Sequence, residues 1–79
     1  MYTYGIATLE QEKKVIDLID QEIDSLEVLR SLSDDFEKIL VNLRLETARR
    51  RRKLFYQMHN FEGGCTKQFA KMIVEDYGL

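Results

Sequence analysis

The sequence contains no proline, which removes the strongest breaker of helical backbone and leaves long helices unopposed. A single cysteine, Cys65, excludes an intrachain disulfide and fits a reducing compartment better than an oxidising one. There is also only one histidine, His59. Neither residue stands in a paired-ligand spacing such as Cys-x-x-Cys or His-x-x-x-His, so neither a metal nor a cofactor is expected. No apolar run exceeds three residues, as at Ile39–Val41 and Met72–Val74, and nothing that short spans a membrane. Met1–Ala7 carries no Lys or Arg and leads into no apolar core, which speaks against a signal or transit peptide. The expectation is a cytoplasmic protein.

What is present is a helical composition. Apolar residues make up 44% of the 79 and charged residues 33%. At this length folding removes only about 60–65% of the unfolded chain's surface from water, so a lone core is marginal. One domain over residues 1–79 is expected, with a homodimer as the usual remedy for a small core.

Residues 1–7 read as a short arm whose Tyr2 and Tyr4 either dock on a helix pair or fray. Thr8 and Gln11 have the spacing of a capping box, and from there Val15, Ile16, Ile19, Ile23, Leu26 and Leu29 recur at steps of three and four. That spacing predicts a first helix over 8–31. Ser33 reads as the next N-cap, with Asp34, Asp35 and Glu37 favouring the positive end of a second helix over 33–59. Between them the sequence allows either a tight turn or one helix running through, and the turn is favoured. Asn60–Gly64 is the clearest break, because paired glycines leave helical backbone cheaply. A third helix over 65–77 presents Phe69, Met72, Ile73 and Tyr77 as its buried face, with Ala70 beside them and Gly78 ending it. The fold class is therefore all-α: an antiparallel hairpin of two long amphipathic helices plus a short C-terminal one.

The second helix is apolar on two sides. Phe36, Ile39, Leu40, Leu43, Thr47, Leu54 and Met58 form the richer, heptad-like face, which is expected to pack on the first helix. Val41, Leu45 and Tyr56 form a sparser line roughly opposite, which is left for another chain.

Charge is segregated. Residues 1–40 hold ten acidic and four basic side chains, net −6, and residues 41–79 hold four and eight, net +4. In an antiparallel hairpin the two halves attract and set the pairing. The run Arg49, Arg50, Arg51, Arg52 and Lys53 points in every direction around a helix, so one acidic neighbour does not account for all of it. Arg44, Lys67 and Lys71 extend the patch, which suits either an acidic protein surface or the phosphates of a nucleic acid.

Catalytic signals are weak. Gly63-Gly64-Cys65-Thr66 resembles an anion cradle with a thiol at a helix start, but the Gly-x-x-x-x-Gly-Lys-Ser/Thr pattern is absent. A buried structural cysteine explains it more simply. Asp17, Asp20 and Asp24 share a side but enclose no ion. Reading Thr66–Asp76 as a DNA-recognition helix would put Glu75 and Asp76 against phosphate. The expected function is non-enzymatic: a small adaptor or regulator acting by protein–protein binding, for instance an inhibitor that masks a partner's surface. Its apolar anchor would be Val41, Leu45 and Tyr56, and the basic run its steering charge. The alternative is a nucleic-acid-associated regulator.

Overall fold

The computed structural model describes residues 5–78, so the expectation for Tyr2 and Tyr4 lies outside the described residues. Three helices follow one another: α1 (Leu9–Leu32), α2 (Asp35–Glu62) and α3 (Lys67–Asp76). α2 doubles back along α1, and α3 packs on α1. No described helix is long and apolar enough to cross a membrane.

The caps explain where each helix starts. Thr8 and Gln11 close the capping box: the Gln11 amide donates to Thr8 Oγ1 at 3.2 Å and the Thr8 amide to Gln11 Oε1 at 2.9 Å. The turn is real and tight, but its N-cap is Asp34 and not Ser33. Asp34 Oδ1 accepts the Glu37 amide at 2.8 Å, while the Ser33 hydroxyl turns back to donate to the Leu29 carbonyl at 2.6 Å. With its hydroxyl engaged in the preceding turn, Ser33 ends α1 and leaves the cap to Asp34. α2 runs past His59 to Glu62 because nothing breaks it before Gly63, which takes the left-handed conformation at φ 79°. α3 begins later than expected because Thr66 is its N-cap, accepting the Phe69 amide at 3.2 Å.

Residues 5–7, just before α1, are tied down as well. Ile6 pairs with Thr66 in a single antiparallel bridge, flanked by Ala7 N–H to the Cys65 carbonyl and Lys67 N–H to the Gly5 carbonyl, both 2.8 Å. Ala7 is buried.

The core is one cluster. Val15, Ile19, Ile23 and Leu26 come from α1, Val41, Leu45, Ala48 and Phe55 from α2, and Phe69, Ala70 and Ile73 from α3. The α1 stripe therefore matches expectation up to Leu26, whereas Leu29 is exposed. On α3 the expected Met72 is exposed, and Tyr77 is only half-buried.

The face of α2 is the reverse of the sequence expectation. Phe36, Ile39, Leu40, Leu43 and Leu54 point to solvent, and of the richer face only Met58 packs against the core. The sparser line is the one that meets α1: Val41 and Leu45 are buried, with Ala48 and Phe55 in phase with them. Ala48 gives the physical reason, because a fully buried methyl group lets the two helices approach closely.

Candidate functional site

Steps of three and four residues return to the same side of a helix. Leu18, Glu22, Ser25, Leu29 and Leu32 thus form one line along α1, and Phe36, Leu40, Leu43 and Thr47 form another along α2. α3 reaches both lines at one end. The Tyr77 hydroxyl donates to Glu22 Oε1, and Thr47 lines the same cleft as Asp76 and Tyr77, together with Arg44 and Arg51. A 10-residue helix is about 15 Å long, against about 36 Å for the 24 residues of α1. α3 therefore fills only part of the groove above the hairpin. Toward the turn, both lines continue with no described residue over them.

That open end is apolar. Leu29 and Leu32 of α1 and Phe36, Leu40 and Leu43 of α2 lie on the two lines, with exposure from 44% at Leu29 to 79% at Leu32, and Val28 and Ile39 are exposed at their outer edges. At that exposure the five side chains on the lines present roughly 500 Å², near the low end of one partner's share of a protein–protein interface. Scattered exposed leucines are ordinary, but five exposed large apolar side chains on two neighbouring lines flanking one turn are not. The sequence singled out the α2 residues but assigned them to the core. Of the anchor it proposed, Val41 and Leu45 are buried inside the hairpin and only Tyr56 is exposed, its ring edge-on to Phe55 at 5.4 Å.

The basic run is largely matched within the chain. Arg49 lies 3.4 Å from Glu27, Arg52 3.4 Å from Asp20, and Arg50 3.1 Å from Glu46 one turn back on α2. Arg51 is the most enclosed of them: its guanidinium bonds Asp76 at 2.6 Å, stands 3.9 Å from Glu22 and lies over the Tyr77 ring at 5.5 Å. Burial pushes the Tyr77 hydroxyl above its ordinary pKa, and the hydrogen bond to Glu22 adds to the rise while Arg51 opposes it. Among the described residues, Lys53 and Arg44 form no ion pair within 4 Å. Lys67 and Lys71 do not extend this patch: they line a separate cleft with Gln11, Lys14 and Val15, and Lys71 is 3.9 Å from Glu75.

Cys65 is fully buried. Its thiol is pushed up to about 11, first by burial and then by the neighbouring Glu12 carboxylate. The environment therefore works against thiolate reactivity. Glu12 is the residue the sequence reading missed. Buried on the α1 stripe, it accepts the Cys65 amide at Oε1, 3.0 Å away, and faces His59 Nε2 at 3.7 Å from Oε2. Its phase with Val15, Ile19 and Ile23 was the available signal. A Cβ on Gly64 would stand 2.5 Å from that carboxylate and 2.9 Å from Ile6 Cγ2, so only glycine fits there without movement. His59 packs its ring against Phe55, 4.7 Å between centroids, and its buried Nε2 faces the Glu12 carboxylate without a hydrogen bond among the described residues. Comparison with protein-family models, curated proteins and solved structures finds no match for this chain.

Proposed function

We propose that this protein is a small non-enzymatic adaptor or regulator that works by protein–protein association through the open apolar face at the hairpin turn. The observation that carries this reading is the reversal on α2. The helix spends Phe36, Ile39, Leu40 and Leu43 on solvent while Val41, Leu45 and Ala48 suffice for its own core. Exposed apolar area of this kind is costly in isolation and is what the centre of an interface is made of. An inhibitor that masks a partner's surface is one form such a protein takes. The nucleic-acid reading is favoured less. Four of the five cations in the run already stand within 4 Å of carboxylates, so phosphate would have to displace them.

The test is a double substitution, Leu40→Glu with Leu43→Glu, in the full-length chain. Both positions are exposed, so the helical circular dichroism of the variant should match the wild type. Proteins retained by immobilised wild-type chain should then be purified and titrated against both forms. The reading predicts at least about a tenfold loss of affinity in the variant, the scale of one interface residue worth over 1 kcal/mol. Equal affinity for every retained protein would overturn it.

A further inference from the structure

We infer that the open face is covered by a second copy of this chain, with the two hairpin ends overlapping antiparallel so that four helices enclose the apolar patch. This inference rests on the proposed function and names the occupant of the same face.

Three features of the surface point to a second copy. The first is spacing: Phe36, Leu40, Leu43 and Thr47 follow one another at steps of four, three and four, the repeat with which helices pack along a shared seam. The second is area, since roughly 500 Å² of apolar surface per copy gives a symmetric pair of about 1,000 Å², the size at which a specific interface begins. An isologous pair needs a patch that complements itself, and a patch of mixed aliphatic side chains with one phenylalanine does so.

The third is charge, which also fixes the direction. A parallel pairing would set Asp34, Asp35 and Glu37 beside their own copies and Arg50 against itself. An antiparallel two-fold between Leu40 and Leu43 avoids both. It places Leu40 against the partner's Leu43 and Phe36 against the partner's Thr47. It also brings Glu37 beside the partner's Arg44, and symmetry repeats the pair. Glu37 and Arg44 are both exposed, and neither forms an ion pair among the described residues. They lie two turns apart on one helix, too far to pair within a chain. The overlap ends where α3 begins, so α3 fills one part of each groove and the second copy the rest.

Sedimentation equilibrium of the full chain, from low to high micromolar concentration, tests this. The wild type should associate to twice the mass of one chain. Leu40→Glu with Leu43→Glu should be monomeric with unchanged helicity. Glu37→Arg alone, or Arg44→Glu alone, should weaken the dimer about tenfold or more, and combining them should restore it to within about threefold, since like charges meeting at both symmetry-related contacts are relieved together. A wild type that stays monomeric throughout overturns the inference, as does a dimer indifferent to the two leucines. Failure of the two charge variants to rescue each other overturns the antiparallel register. A monomeric wild type whose leucine variant still loses a separate protein partner would refute the second copy alone and leave the proposed function standing.

Discussion

Leu43 and Leu45 stand two residues apart on α2, yet Leu43 is 58% exposed and Leu45 1%. Two residues turn a helix by about 200°, so the pair marks its outer and inner sides. Leu45 packs in the core with Ile19 and Ile23 of α1, whereas Leu43 belongs to the open face at the hairpin turn.

Glu12 joins the first helix to the loop before the third. Glu12→Ala strands the Cys65 amide without its acceptor and should cost about 1–3 kcal/mol, the usual consequence of an unpaired buried donor. Glu12→Gln keeps an acceptor oxygen and should cost less. Urea denaturation of the three proteins checks the order.

Gly64→Ala should destabilise by about 1–3 kcal/mol, because the added methyl runs into the Glu12 carboxylate and Ile6 and the site is overpacked. Gly63→Ala is strained for a different reason, its positive φ, although the space around it is open. Combining Gly64→Ala with Glu12→Ala should cost less than the sum of the two, since the second change removes the atoms that clash.

Cys65 and Tyr77 set the behaviour in alkali. Both groups have folded pKa values above their unfolded ones, so the neutral form is favoured by folding. Their contribution is fully present below the unfolded values. It is lost as pH rises through about 9 toward about 11 for Cys65, and from 10.0 upward for Tyr77. Thermal stability should therefore fall on that limb, less steeply in Cys65→Ala. At neutral pH the thiol should react with a disulfide reagent far more slowly than in the urea-unfolded chain. Equal rates would contradict its burial.

The arginines should differ among themselves. Arg49→Gln and Arg52→Gln remove exposed pairs and should each cost less than about 1 kcal/mol, vanishing in high salt. Arg51→Gln should cost about 1–3 kcal/mol, because its guanidinium is largely enclosed and binds Asp76 while covering the Tyr77 ring. Salt should relieve that loss only in part.

Much of the fold was legible where local chemistry decides it. The capping box at Thr8 and Gln11, the break at Gly63 and the α1 stripe through Leu26 are written in side chains that satisfy their own neighbourhood. The inner side of α2 was not. Hydrophobicity favours Phe36, Ile39, Leu40 and Leu43, while close packing favours Val41, Leu45 and Ala48, and a sequence read alone weighs only the first. The same ambiguity hid the candidate site, because an exposed apolar face reads in a sequence like a core. The pairing of Arg49 and Arg52 with acidic residues of α1 was foreseeable from the charge segregation. The share of Arg51 taken by Asp76 was not, since it depends on where the end of α3 comes to rest.

A comparison of Leu45→Ala with Leu43→Ala tests most directly which side of α2 faces inward. Urea unfolding should be followed by circular dichroism at a concentration dilute enough for the chain to be monomeric. Leu45→Ala should cost about 2–5 kcal/mol, as expected for a cavity in a packed core, and Leu43→Ala no more than about 0.5 kcal/mol, as for a surface change. Equal losses, or a greater loss at Leu43, would mean that the richer face is the core after all and would remove the basis for the proposed binding surface.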